Sequence, residues 1–370
     1  MALPPDMLVE ILTRLPSKTL IRLKLVSKSW HALISSPDFI RWHLRISRSD
    51  PSRQSIVVRI PLAGQGDLTK AFDPSTLEEI PVPTRALGEP LLATYNGLTC
   101  PLPGEDPLRL RNPSTGNLRE LPRCPRHDLS DARSVVLGPI APGGHPLDMR
   151  VAVIGVTSGA TWAEVWSART GAWTEVGLGG RVFTPAYGPG AVRKGVAYWT
   201  VEDGTALDRR LRFTRIGDGG GTARVAALDL ADTTSFRLLE VPQGWAKAGK
   251  YPMRIRPLIW AGSIALLVYN MSVHEIWVLE REKECGWTRY KFGEREKECG
   301  WMRYKFGPFS GIGYTMLTLR EDGRFLVFDT MLKVVLRDLW TNKDITVFDR
   351  PNFEKQELIF TAQYCVESLL

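Results

Sequence analysis

Between residues 5 and 45 apolar side chains recur at helical spacing, whereas beyond Ser52 they fall in short runs broken by Gly, Pro, Asn and Asp. The first pattern predicts helices and the second strands. Leu8, Ile11, Leu12 and Leu15 stand at i, i+3, i+4 and i+7, one stripe down a helix that opens at Pro5-Asp6 and stops at Pro16. Ser17 is placed to cap a second helix bearing Leu20, Ile21, Leu23 and Leu25. Ser27 is placed to cap a third, with Trp30, Leu33 and Ile34, that ends at Ser35-Ser36-Pro37. Three short helices in about 45 residues bury too little surface to stand alone, so metal, disulfides or a partner would have to complete them.

In the strand-rich remainder one element recurs: an apolar strand, a polar turn, then a second strand with Leu or an aromatic. It reads Ala71-Phe72-Asp73-Pro74-Ser75-Thr76, Leu110-Arg111-Asn112-Pro113-Ser114-Thr115-Gly116, Val165-Trp166-Ser167-Ala168-Arg169-Thr170-Gly171, Leu228-Asp229-Leu230 and Val327-Phe328-Asp329-Thr330. An Asx side chain closes such a turn on its own backbone, and Gly accepts the positive φ that follows. Intervals of roughly 40 to 60 residues, the longest gap being halved by Trp277-Val278-Leu279, suit propeller blades with variable loops. The expected architecture is mainly β with a small α N-terminal domain: three helices over residues 1–45, a linker over 46–60, and a six- or seven-bladed β-propeller-like domain over 61–370. A β-sandwich ranks second, since it needs turn signals every 8 to 12 residues or so.

Composition narrows the function. With 44% hydrophobic and 24% charged residues the chain reads as soluble and globular. The longest apolar run, Leu258 to Tyr269, is well short of the ~20 residues a bilayer-spanning helix requires. The N-terminal segment lacks the basic and apolar regions of a secretory signal, which implies the nucleus or cytoplasm. Five scattered cysteines without a C-x-x-C pair suggest reduced thiols, neither disulfides nor a zinc site. The net charge of +8 raises the question of nucleic acid, but residues 1–53 hold nine Lys/Arg against four Asp/Glu, so most of the surplus is local to the head. No membrane or nucleic-acid partner is expected.

The strings Leu3-Pro4-Pro5-Asp6-Met7-Leu8-Val9-Glu10-Ile11-Leu12-Thr13-Arg14-Leu15-Pro16, Leu20-Ile21-Arg22 and Val26-Ser27-Lys28-Ser29-Trp30 closely resemble the F-box motif. The resemblance implies docking on the Skp-type adaptor and, through it, on the cullin and RING subunits of a Skp, cullin and F-box (SCF) ubiquitin ligase. The adaptor-binding residues it implies are Leu3, Pro4, Ile11, Leu12, Leu15, Pro16, Leu20, Val26 and Trp30. Leu8, Leu23 and Leu33 are better read as packing the helical core. Downstream, Asn96-Gly97-Leu98, Asn112-Pro113-Ser114-Thr115, Glu164-Val165-Trp166-Ser167, Gly195-Val196-Ala197-Tyr198-Trp199, Leu228-Asp229-Leu230 and Glu275-Ile276-Trp277-Val278 together resemble the F-box-associated, kelch-like domain of plant F-box proteins. That implies a C-terminal domain for substrate capture, with the target unspecified.

Residues 280–293 and 294–307 are a tandem duplication that differs only at Thr288 and Met302. One copy is expected in the blade and the other as a protruding loop or extra hairpin. Catalytic signatures are missing: there is no G-x-S-x-G, H-E-x-x-H or G-x-x-x-x-G-K-[ST], Gly217 to Gly221 reads as a loop, and the five histidines are isolated. The expectation is a non-catalytic substrate receptor without cofactor or metal. A non-degradative scaffold or regulatory module is the alternative, and a propeller enzyme has only fold analogy behind it.

Overall fold

The computed structural model describes residues 4–62, 66–81, 92–101, 107–126, 128–140, 148–186, 188–203, 223–241, 254–260, 262–269, 274–279, 295–298, 301–305, 316–319, 324–329, 333–338, 341, 343–349 and 361–370. Four helices come first, where three are expected: α1 (Pro5–Thr13), α2 (Ser17–Leu23), α3 (Lys28–Ser35) and α4 (Pro37–Ser49). The fourth begins where the third was expected to stop the helical run. Ser36 caps it by accepting the Phe39 N–H at 3.3 Å, and Pro37 occupies its first turn, where a missing N–H costs nothing. Phe39, Ile40, His43, Leu44 and Ser47 are its buried face. The residues expected as a 46–60 linker are therefore the end of α4, one 3-10 turn (Pro51–Arg53) and the first strand, Gln54–Leu62.

Among the described residues the strands form six sheets of four or five strands. The first joins Thr361–Val366 to Gln54–Leu62, Gly66–Phe72 and Glu79–Ile80, so a strand some 300 residues downstream closes the ring. The second is built on strands 92–95, 98–101, 109–111 and 118–120, and the third on 132–139, 149–157, 160–167 and 173–175, with Gly188–Pro189 on an edge of the third. The fourth is built on Val196–Asp203, Ala223–Asp229 and Phe236–Glu240, flanked by Phe183–Pro185 and Ala191–Arg193. The fifth is built on strands 254–260, 263–269, 274–279, 295–298 and 301–305, and the sixth on 316–319, 325–329, 333–338 and 343–349. Buried clusters bridge the second sheet to the third, the third to the fourth, the fourth to the fifth, and the sixth back to the first. Face-to-face packing of successive sheets is the propeller arrangement. Trp166, Trp199 and Trp277 are buried in these seams.

The recurring turn joins the last two strands of its sheet at Asp73, Asn112, Ser167 and Asp229, but the second and third strands of the sixth sheet at Asp329. Its chemistry is local. Asp73 Oδ1 accepts the N–H groups of Ser75 (2.6 Å) and Thr76 (3.1 Å), and Asn112 Oδ1 accepts those of Ser114 (2.8 Å) and Thr115 (3.1 Å). The next backbone position is left-handed in both turns, at Leu77 (φ 61°) and Gly116 (φ 75°). Leu77 bears that strain because its side chain is buried in the seam between the sixth and first sheets.

The second copy of the duplication supplies two strands of the fifth sheet, whose order runs 254–260, 263–269, 274–279, 301–305, 295–298. The first copy, like Gly217 to Gly221, lies outside the described residues. Leu279 and Trp301 face each other in register, so a chain lacking residues 280–293 would join them through the seven residues 294–300 as an ordinary hairpin. Strand 295–298 is then a supernumerary edge. Deleting 280–293 is expected to leave stability within about 1 kcal/mol of wild type, since shortening a connection by this many residues changes closure entropy only slightly. A larger drop in the urea midpoint would make the fifth strand part of the core.

Candidate partner-docking site

The head has one small core: Leu12, Leu20, Ile34, Phe39 and Ile40 are buried together, with Leu8, Leu15, Leu23, Trp30 and Leu33 packed against them. This separates the expected docking residues into two groups. Pro4, Ile11, Pro16 and Val26 are exposed, Val26 at 63%, and Leu15 and Trp30 are half-buried. Leu12 and Leu20, at 2% and 0%, are interior residues that shape the head from within. Leu3 lies outside the described residues. Two apolar residues missed from sequence join the exposed set: Met7 at 51%, one turn from Ile11 on α1, and Leu25 at 87%, beside Val26 after α2. The local pattern does not reveal this, because Leu25 reads as part of the apolar run of α2 and its exposure depends on where that helix ends.

The turn between α1 and α2 is held from outside the head. Pro16 occupies the cap position of α2 and gives no side-chain bond, so Ser17 is not the cap. Instead Glu367 Oε1 accepts the Ser17 N–H at 2.7 Å. The carboxylate thus meets the positive end of α2. Burial raises the Glu367 pKa, against the lowering pull of the Ser17 N–H and Arg53. Arg53 does the converse for α1: its guanidinium donates to the carbonyls of Thr13 (3.2 Å) and Arg14 and lies 3.4 Å from Asp50, with its side chain 9% exposed. The Glu367 N–H donates to Arg53 O at 3.0 Å. Gln54 caps α4 through the carbonyls of Ser47 (2.9 Å) and Arg48 (2.7 Å).

Residues 367–370 run on through this joint. Leu369 enters the head core, and Leu370 packs against both that core and the seam between the second and third sheets. Asn112 Nδ2 donates to the carbonyls of Ser368 (3.1 Å) and Leu370 (2.9 Å). Gly97, at φ +81°, leaves room for this segment, since a Cβ there would sit 2.4 Å from Val366 O. The partner that the small head needs is thus, in part, its own β body.

His43 is wholly buried on α4, with its Nε2 3.1 Å from Leu15 O. Burial chiefly lowers its pKa, to about 4. The neutral ring with a proton on Nε2 satisfies that carbonyl. Its folded pKa lies below the ordinary 6.5, so the unfolded chain binds the extra proton between these values and stability falls as pH drops through that window. Acidification from pH 7.5 to 5 is expected to cost about 2 kcal/mol through this group. The slope of the urea midpoint against pH should flatten in His43→Gln, and an unchanged slope would contradict a buried neutral ring.

Among the described residues no group of three or more metal-ligating side chains is assembled, and no helix is long and apolar enough to cross a membrane. Cys100 and Cys124 are buried.

Residues 1–42 match the F-box domain family, so the helical head is an F-box domain. Curated relatives are Arabidopsis thaliana F-box proteins. F-box protein At4g19940 is 25% identical over 77% of this chain and 71% of its own length, and F-box/kelch-repeat protein At2g43270 is 32% identical over 35% of this chain and 58% of its own. Two further F-box relatives are matched over only 29% of their length. Among solved structures, TolB from Acinetobacter baumannii overlaps 84% of this chain and 66% of its own at a TM-score of 0.46 and 11% identity. At that score the propeller assignment rests on the six packed sheets themselves.

Proposed function

We propose that this protein is a substrate-recognition subunit of an SCF ubiquitin ligase, with the F-box docked on a Skp-type adaptor and the β body holding a target protein. The observation that carries the reading is an F-box domain with Ile11, Leu25 and Val26 in solvent. Apolar side chains left exposed on so small a unit mark a protein interface. In this role the chain performs no chemistry of its own. The adaptor brings cullin and RING subunits, a separate conjugating enzyme carries the ubiquitin, and the β body contributes proximity by holding the target's lysines within reach. Leu12, Leu15 and Leu20 then act indirectly, by setting the helix positions that carry the contact residues.

The test is co-purification with a Skp-type adaptor. The Ile11→Asp, Val26→Asp double variant replaces two exposed residues and should keep the wild-type thermal midpoint. Its adaptor recovery is expected to fall at least about tenfold, the scale of one or two lost anchor contacts. Equal recovery from variant and wild type would overturn the assignment.

A further inference from the structure

We infer that the outer part of the fourth sheet carries an anion-binding cleft that takes a phosphorylated or acidic side chain of the target protein. This deepens the reading of the β body as a target-holding domain and rests on it. The cleft, of about 530 Å³, is lined by Arg181, Val182, Phe183, Arg224, Arg237, Leu238 and Glu240. Three guanidinium groups thus face one carboxylate. Glu240 stands opposite Arg224 in the strand register, with its Oε1 3.4 Å from Arg224 Nε. That leaves the cleft with two positive charges beyond this pair.

The floor is apolar. Phe183 and Phe236 stack with centroids 5.6 Å apart and planes 4° from parallel, and the Arg181 guanidinium lies 6.0 Å above the Phe236 ring. Such a contact orients a cation without consuming its hydrogen-bond donors. Gly179 and Gly180, at φ +63° and +70°, make the turn that delivers Arg181 to this position. Beside it Val182 is 49% exposed, an apolar step at the mouth. Arginine forks match phosphate and carboxylate oxygens in pairs. A cationic rim over an apolar floor therefore suits an anionic residue followed by an apolar one. Arginine clusters recognise phosphorylated or acidic peptides in this way.

The experiment uses the full chain co-expressed with a Skp-type adaptor and three fluorescein-labelled pools of degenerate nonapeptides. The central residue is fixed as phosphoserine, glutamate or serine. Fluorescence anisotropy is expected to show the phosphoserine or the glutamate pool bound at least about tenfold tighter than the serine pool, and which of the two leads identifies phosphate or carboxylate as the preferred group. Arg181→Ala with Arg237→Ala, both at exposed positions, should remove that advantage, and Glu240→Gln should strengthen binding by relieving repulsion. Pools that bind alike, or not at all, would overturn the inference, as would an advantage that survives in the double variant. Adaptor recovery measured on the same preparations separates the two readings. Anionic binding without adaptor leaves the cleft standing and removes the ligase role, whereas adaptor binding without anionic preference does the opposite.

Discussion

Leu369→Asp is expected to melt the helical head while leaving the six sheets folded. Leu369 is 7% exposed and lies among Leu12, Leu20, Ile34, Phe39 and Ile40. Losing its burial removes about 2 kcal/mol of hydrophobic stabilisation, and a carboxylate in the same place adds a desolvation penalty of several kcal/mol. A unit of about 45 residues has little reserve against such a loss. Amide exchange should therefore report early deprotection of α1 through α4, with slow exchange kept in Val151 to Ile154 and Leu266 to Val268, which lie at the centre of the sheets. Leu369→Met, close in volume, should behave as wild type. Unchanged protection of the helices in the aspartate variant would mean that the head core closes without this residue.

The second large effect is expected at Asn112. Its side chain serves two masters: Oδ1 receives the turn N–H groups of Ser114 and Thr115, while Nδ2 donates to the carbonyls of Ser368 and Leu370. Asn112→Asp keeps the acceptor and abolishes the donor. It sets a negative charge against two carbonyl oxygens at a position 1% exposed. The loss should be about 3 to 5 kcal/mol, the scale of an uncompensated buried charge. Asp73 makes the same turn but is half-buried, and its Oδ1 serves only as acceptor to Ser75 and Thr76. Asp73→Asn should therefore be worth less than about 1 kcal/mol. Urea midpoints of the two variants test the contrast, and equal effects would show that the turn alone, without the 366–370 segment, sets the demand for asparagine at 112.

These two turns mark how far the sequence is legible. Asp73 and Asn112 close their turns on neighbours two and three residues away, so the Asx-Pro-Ser-Thr spelling is sufficient. The helices α1 and α3 were readable for the same reason, through the apolar stripe and the Ser27 cap, which accepts the Trp30 N–H at 3.1 Å. The fourth helix escapes the pattern because Pro37 reads as a stop, although Ser-Pro-Asp is also how a helix opens. The cap of α2 was beyond reach: Ser17 sits at the right place in the string, but the acceptor is Glu367, 350 positions away. Burial divided the docking residues in a way that no local pattern could, since Leu12 and Ile11 are adjacent and point to opposite environments. The cleft arginines come from three separate segments, 181, 224 and 237, and a lone arginine carries no signal until the sheet brings them together.

The threading of Leu369 through the head also bears on how the protein is made. The F-box helices leave the ribosome long before Leu369, yet one side of their core is missing until that residue has been synthesised. At roughly 5 to 20 residues per second, that interval is tens of seconds. Throughout it the nascent head is incomplete and its apolar residues are available to chaperones. A chain released early, without this segment, keeps every residue of the F-box string but lacks the piece that closes its core. Strand Thr361–Val366, which completes the first sheet, and Leu369, which completes the head core, are neighbours in the chain, so both units close on the same stretch of synthesis.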